Sequence, residues 1–285
     1  MSTEFIITKL LPLSLAIIMF GFGLTLTPAD FKRIAQYPKS VFLGLFCQMV
    51  LLPLLAYGVC IAFGLPTEIS IGVMILAASP GGVTANLFSH LAHGDIALNL
   101  TLTAINSVLA AFSLPFIVNL AFKLFADQDQ NIGLQFAKTL EVFAIVLVPV
   151  SIGMYINSIK PAFTKMMDKP VRIFSMLVLL VVIVGAVMKE KERLSESFAQ
   201  IGIAMLVFNL GSMLLGFLVP KILKLSNKEA TAISMEVGIH NSTLAIYVAV
   251  ALLGSFPLAL PAAVYSIILF FTAAAFSFYL AKKNA

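Results

Sequence analysis

Charge is scarce in this 285-residue chain: Asp, Glu, Lys and Arg together make up 11% of it, against 60% hydrophobic residues. A soluble domain carries about 25% charged residues, so a water-surrounded globule is excluded. Cysteine is nearly absent. The two present, Cys47 and Cys60, fall inside one apolar stretch, which leaves neither a disulfide framework nor a metal motif and marks them as packing residues. No His-Glu-x-x-His helix occurs, nor a glycine-framed serine with a histidine at membrane depth. Asp30, Asp95 and Asp168 all fall at segment ends or in loops, which argues against an intramembrane aspartyl protease. A Walker-type phosphate loop is missing, which argues against ATP-driven transport. The chain is therefore not read as an enzyme. No basic n-region leads into a small-residue cleavage site, so no cleaved signal peptide is expected. The formal net charge of +5 is read as a surplus in cytoplasmic loops. No nucleic-acid partner and no obligate protein partner follow from it.

Apolar length is what the chain does have. Nine candidate spans run roughly 8–28, 39–63, 67–91, 95–125, 134–158, 170–188, 198–220, 229–253 and 258–281. Stretches of about 20 residues suit spanning helices rather than short alternating barrel strands. The expected fold class is an all-α polytopic membrane protein, a single domain over residues 1–285. Orientation follows from Lys and Arg placement. With the N-terminus outside, the inner side holds twelve, among them Lys32, Arg33, Lys39, Lys160, Lys221 and Lys283, and the outer side six. That favours a multi-pass cell-membrane protein with its N-terminus outside and its C-terminus in the cytoplasm.

Two spans carry interruptions. In the third, Ser79-Pro80-Gly81-Gly82 stands mid-span with Asn86 one turn beyond; proline removes a backbone donor and paired glycines permit unwinding. The eighth carries Glu236, Gly238, His240, Asn241 and Ser242 within seven residues. A charged group at bilayer depth costs about 2.5–3.5 kcal/mol on insertion scales, so such a carboxylate is a functional-site candidate. A glycine precedes an asparagine in both breaks, Gly82 to Asn86 and Gly238 to Asn241. Five spans separate the two, an odd offset that gives them opposite orientations. That is the pattern of an inverted repeat whose interrupted helices meet near the midplane.

Gln48 in the second span and Asn209 in the seventh repeat the offset, each one span before a break. Asn99, Thr103 and Ser107 recur every four residues along one face of the fourth span. Such polar residues also serve as interhelical hydrogen-bonding glue, worth about 0.6 kcal/mol each, and Pro80 with two glycines also fits a packing kink. Glu141 is read as interfacial, His90 and His93 as solvated at a span end, and Asp95 as a helix cap.

Amide and hydroxyl oxygens, unwound carbonyls and one carboxylate suit a hard monovalent cation. The exposed N-terminal ends of half-helices suit an anion. A cation site beside an anion site, on helices that rock together, describes a secondary symporter. Two alternatives stay open. One is a proton-coupled or uncoupled organic anion carrier using His240; the other is a non-transporting membrane sensor or channel.

Three motifs carry a resemblance along nearly the whole chain: Gly23-Leu-Thr-Leu-Thr-Pro-Ala-Asp-Phe31, Ser79-Pro-Gly-Gly-Val-Thr-Ala-Asn86 with Gly94-Asp95, and Glu236-Val-Gly-Ile-His-Asn-Ser242. In these the chain resembles the bile acid:sodium symporter family. The resemblance implies a core (about 39–125 and 198–281) in which the broken third and eighth spans cross, and a panel (about 8–28 and 134–188). It implies two sodium ions behind the crossover. The first would be held by Ala85, Asn86, Asn99, Thr103 and Glu236, the second by Gln48, Glu236, Val237, Ile239 and His240. A small organic anion would lie between panel and core near Thr84, Asn209, Asn241 and Ser242. This chain departs from that family at His240, where many relatives have glutamine, and at Ala85 and Asn99, where serine is common. Leu269 and Phe270 stand where bacterial relatives carry a polar pair, so a more apolar cleft is expected.

Overall fold

The computed structural model describes residues 9, 11–126, 136–164, 166–167, 170, 173–174, 177 and 191–284. Apolar length becomes helix throughout, and no β-strand occurs among the described residues. Among the described residues five helices are long and apolar enough to cross a membrane: Pro38–Ala62 (α3), Ile96–Phe125 (α6), Leu140–Ile159 within Phe136–Ile159 (α7), Ile201–Ile222 within Lys191–Ile222 (α8), and Pro257–Lys283, most of it in Leu260–Asn284 (α11). The count becomes six if Leu11–Thr25 (α1) and the segment from Pro28 to Ala35 (α2, then a 3-10 turn) are taken as one span bent by 70°. Large side chains such as Phe42, Phe116, Phe271 and Phe278 are more than two-thirds exposed, an outer surface suited to lipid rather than water. The candidate sixth span, 170–188, lies outside the described residues apart from 170, 173–174 and 177.

The bend after α1 has a local cause. The Thr27 backbone N–H and hydroxyl donate to Asp30 Oδ2 at 2.7 and 2.8 Å, and Arg33 Nη1 donates to Asp30 Oδ1 at 2.7 Å. This closes a capped turn with Pro28 at the helix start. Helices α1 and α7 cross with backbones in contact. A Cβ on Gly153 would lie 2.4 Å from the Phe20 carbonyl, and one on Gly23 would lie 2.2 Å from that of Val150. Small residues permit this approach where dispersion, not hydrophobicity, drives helix association.

Both expected interruptions are present. The third candidate span is Thr67–Ala78 (α4) and Val83–Leu91 (α5), separated at 79–82. The eighth is Asn227–Gly238 (α9) and Ser242–Leu252 (α10), separated at 239–241. Asp95 caps α6, accepting from the Leu98 N–H at 3.0 Å.

The Gly-to-Asn spacing that suggested equivalence between the breaks does not survive. Gly238 is the last residue of α9, whereas Gly82 is the N-cap of α5. Asn241 is the N-cap of α10, so its counterpart is Gly82, while Asn86 lies inside α5. What the breaks do share is how their freed carbonyls are met. Gln48 Nε2 on α3 donates to the Ser79 carbonyl at 3.0 Å, and Asn209 Nδ2 on α8 donates to the Gly238 carbonyl at 3.0 Å. A side-chain amide from the neighbouring helix thus donates to a carbonyl at each exposed half-helix end, where backbone partners are lacking.

Candidate functional site

The two breaks lie against each other. Residues Gly81 and His240 form an antiparallel bridge. The Gly82 N–H donates to the Ile239 carbonyl at 2.9 Å, and the Asn241 N–H donates to the Pro80 carbonyl at 2.9 Å. These two bonds pair backbone groups of the two unwound segments with each other, in apolar surroundings that would otherwise leave them unsatisfied.

Glu236, in the last turn of α9, points into this crossing and has no solvent exposure. Its carboxylate is surrounded by neutral donors. Thr103 Oγ1 stands 2.5 Å from Oε2, and Asn106 Nδ2 donates to Oε1 at 2.7 Å. Gly81 passes so close that a Cβ there would lie 2.4 Å from the carboxyl carbon and both oxygens, so only glycine fits. Among the described residues the one ion pair is Arg33 with Asp30, which leaves Glu236 without a basic partner. Four buried amide oxygens on α3, α5 and α6 go without a hydrogen-bond donor: Gln48 Oε1, Asn86 Oδ1, Asn99 Oδ1 and Asn106 Oδ1. A buried oxygen in that state costs about 1–3 kcal/mol, and an unpaired buried carboxylate costs more.

The donor set fits a hard monovalent cation. It offers one negative charge and several neutral oxygens, with no group of three or more His, Cys, Asp or Glu among the described residues that would favour a transition metal.

Several expected ligands converge. Asn99 Nδ2 donates to the Ala232 carbonyl at 2.8 Å, one turn before Glu236, which leaves its oxygen as the free end. Thr103 Oγ1 also lies 2.9 Å from the Asn99 carbonyl, so its single proton serves either that oxygen or Glu236. Ala85 is fully buried on α5, which packs against α9. The Val237 backbone is buried beside Glu236, and the Ile239 carbonyl already accepts the Gly82 N–H. Thr84 is half-buried near the start of α5. Asn241 Oδ1 accepts from the Leu244 N–H at 3.0 Å, and Ser242 Oγ is buried without a partner.

The surroundings of Asn209 and of His240 differ from those of the other expected residues. Asn209 is expected beside the substrate. It is fully buried and its amide is saturated, with Nδ2 donating to the Gly238 carbonyl and to Tyr265 Oη at 2.9 Å, and Oδ1 accepting from Thr272 at 2.5 Å. It is a brace for the crossing. The ring of His240 lies against Phe208 and Tyr265, with centroids 5.6 and 5.3 Å away, and neither ring nitrogen has a hydrogen-bond partner. Its backbone, not its imidazole, meets the other break.

Asn106 and Tyr265 were not among the expected residues. Asn106 was readable: positions 99, 103 and 106 follow the i, i+4, i+7 rule for one helix face. The every-fourth-residue reading led to Ser107 instead, whose hydroxyl only donates back to the Thr103 carbonyl at 2.7 Å. Tyr265 donates to the Gly238 carbonyl at 2.6 Å, and nothing in the run around it distinguishes it from a packing aromatic. Glu141, expected as an interfacial residue, accepts from Tyr247 Oη at 2.8 Å and ties α7 to α10.

Comparison with known proteins points to one family. Residues 12–197 match the model of the sodium bile acid symporter family. An uncharacterized sodium-dependent transporter of Bacillus subtilis, YocS, is 33% identical over 266 residues, 92% of this chain and 79% of the relative. The ileal sodium/bile acid cotransporter of Oryctolagus cuniculus is 25% identical over 240 residues, 84% of this chain and 68% of that protein. A sodium-dependent organic anion transporter of Bos taurus is 26% identical over 238 residues, again 84% of this chain and 63% of the relative. The family is one of sodium-coupled transporters and not of enzymes. With well over half of its length matched, this chain belongs to the sodium bile acid symporter family.

Proposed function

We propose that the protein is a sodium-coupled symporter that carries an organic anion across the cell membrane by alternating access. One observation carries the reading. Glu236 is a fully buried carboxylate with no cationic residue beside it among the described residues, while Asn86, Asn99, Asn106 and Gln48 carry buried amide oxygens that lack donors. A bound sodium ion supplies the missing charge and uses the idle lone pairs. Asn86, Asn99, Thr103 and Glu236, with the backbone at Ala85, form the first sodium site. Gln48 and Glu236, with the carbonyls of Val237 and Ile239, belong to the second.

The anion sits at the N-terminal ends of α5 and α10, near Thr84, Asn241 and Ser242, where the helix dipoles favour negative charge. Substrate and cation then offset each other's charge across the crossing, which is what couples them. In this reading nine spans form a core (about 39–125 and 198–281) and a panel (about 8–28 and 134–188). The panel rocks against the core, with the N-terminus outside and the C-terminus in the cytoplasm. The names of the relatives support bile acids or other organic anions as the substrate class, and the apolar pair Leu269 and Phe270 suits an amphipathic one.

Proteoliposome uptake tests this. Radiolabelled taurocholate and a panel of small carboxylates are offered under an inward sodium gradient and with choline in its place. Sodium-dependent accumulation of at least one anion is expected. Uptake that is equal in choline and follows a proton gradient would replace this reading with a proton-coupled carrier. Ion conductance far above carrier turnover in planar bilayers would replace it with a channel.

A further inference from the structure

At the opposite end of α9 from Glu236, a cavity of about 500 Å³ opens at the surface, lined by Lys221, Ser226, Asn227, Lys228 and Lys283. The three lysines come from three helices: Lys221 from the last turn of α8, Lys228 from the first turn of α9, and Lys283 from the last turn of α11. No carboxylate pairs with any of them, since the one ion pair among the described residues is Arg33 with Asp30. Glu229, the nearest acid in sequence, is engaged elsewhere. Its Oε1 accepts from the Ser40 hydroxyl at 2.5 Å and its Oε2 from the Ser226 hydroxyl at 2.6 Å. Two of the lysines are held at the rim by neutral groups: Lys221 Nζ donates to the Leu225 carbonyl at 3.3 Å, and Lys283 Nζ lies 5.5 Å from the centroid of the Phe217 ring. Three like charges around one opening repel one another, and a bound anion relieves that repulsion.

The side of this opening that faces the membrane is apolar. Helices α8 and α11 pack together and both reach the opening at their C-terminal ends, so one turn back along each leads into the bilayer. One turn back from Lys221 stands Leu218, and one turn back from Lys283 stands Tyr279, both exposed. Ile222 and Phe278 are exposed beside them. We propose that the opening holds the phosphate headgroup of an anionic phospholipid, whose acyl chains lie along the exposed apolar side chains of α8 and α11. The ammonium groups give charge-assisted hydrogen bonds to the phosphate oxygens, and the Ser226 hydroxyl and Asn227 amide add neutral donors. A basic pocket between spanning helices is the usual form of an anionic-headgroup site. The apolar flank selects a lipid over a free phosphate, which would leave that surface unused. The proposal does not depend on which substrate or coupling ion the protein carries. A headgroup there joins the ends of α8, α9 and α11, and α9 carries Glu236 at its far end, so the lipid stabilises the helices that position the crossing.

Thermal unfolding of the purified protein in detergent tests the proposal, with phosphatidylglycerol, phosphatidylcholine of the same acyl chains, or inorganic phosphate titrated in. Native mass spectrometry counts the phosphatidylglycerol molecules retained. Two variants with the same loss of charge accompany the unaltered chain. One combines Lys221→Gln, Lys228→Gln and Lys283→Gln; the other combines Lys32→Gln, Lys123→Gln and Lys160→Gln, three exposed lysines outside the cavity. A third, with Lys228→Gln and Lys283→Gln alone, leaves the Lys221 bond to Leu225 in place and guards against a folding defect. The expected result is a saturable rise in unfolding temperature with phosphatidylglycerol and none with phosphatidylcholine. Half-saturation is expected to rise at least tenfold, with loss of one retained lipid, in the triple cavity variant, to rise in the double variant, and to stay unchanged in the variant outside the cavity. Equal weakening in the variant outside the cavity would overturn the site in favour of general attraction between a basic surface and acidic lipid. Inorganic phosphate that reproduces the rise would overturn the lipid as occupant and leave a site for a free anion. A response to phosphatidylglycerol that both cavity variants keep in full would overturn the proposal outright, as would no response in the unaltered chain.

Discussion

Replacing Gly81 by alanine puts a methyl group where the Glu236 carboxylate now lies. The added Cβ would stand 2.4 Å from the carboxyl carbon and both oxygens, whereas contacts under 3.0 Å require something to move. The carboxylate cannot yield freely, because Thr103 and Asn106 hold its two oxygens at 2.5 and 2.7 Å. Gly81 is itself fixed by the bridge to His240. Overpacking of this kind costs about 1–3 kcal/mol. If that strain appears as loss of the cation-binding geometry, sodium affinity falls by about fivefold to about 140-fold, since about 1.4 kcal/mol is a factor of ten. Thermal unfolding across a sodium titration, with choline keeping ionic strength constant, reads this directly. At a sodium concentration of about 100 Kd a bound ion stabilises by about 2.7 kcal/mol, and a tenfold weaker site retains about half of that. Gly82→Ala is the internal control. Its Cβ would meet nothing closer than 3.4 Å, and Gly82 has φ −91°, open to alanine. Gly81→Ala is expected to shift the sodium midpoint and Gly82→Ala to leave it in place. A Gly81→Ala protein with an unaltered midpoint would refute the claim that Glu236 binds the ion in this geometry.

Asn209→Leu is expected to lower thermal stability by about 1–3 kcal/mol, because it withdraws a donor from the Gly238 carbonyl and breaks the bonds to Thr272 and Tyr265; an altered substrate KM with unchanged stability would return it to the cleft. Gly153→Leu is expected to cost about 3 kcal/mol, read by thermal unfolding, because its Cβ would meet the Phe20 carbonyl, and backbone cannot rotate away. Tyr247→Phe is expected to cost about 1 kcal/mol by removing the bond to Glu141 that ties α10 to α7, and to change the rate of uptake more than the sodium midpoint.

The breaks were legible because they are written in backbone chemistry. Pro80 with two glycines, and a lone carboxylate beside Gly238, are hard to fit inside an apolar span whose helix stays wound. The nearby amides were legible as a set, but their roles depended on atoms that spacing does not show. Gln48 and Asn209 stand at matching offsets and both brace a freed carbonyl, yet Gln48 keeps an idle oxygen while Asn209 is saturated by Tyr265 and Thr272. Which amides are spent is decided by residues on other helices. Asn106 was missed through the choice of a period of four over the i, i+4, i+7 stripe. For His240 the sequence offers only an imidazole among polar residues; the stacking partners Phe208 and Tyr265 come from spans seven and nine, on either side of its own.

The central claim is that Glu236 at the crossing holds the coupling cation, and Glu236→Gln tests it most directly. The amide has nearly the same shape and removes the charge. In a sodium titration followed by thermal unfolding, the unaltered protein is expected to gain stability with sodium and not with choline. Glu236→Gln is expected to be flat, while folding at least as stably as the unaltered protein without sodium, since an unpaired buried charge has gone. A Glu236→Gln protein that still gains stability with sodium at the unaltered midpoint would contradict the account.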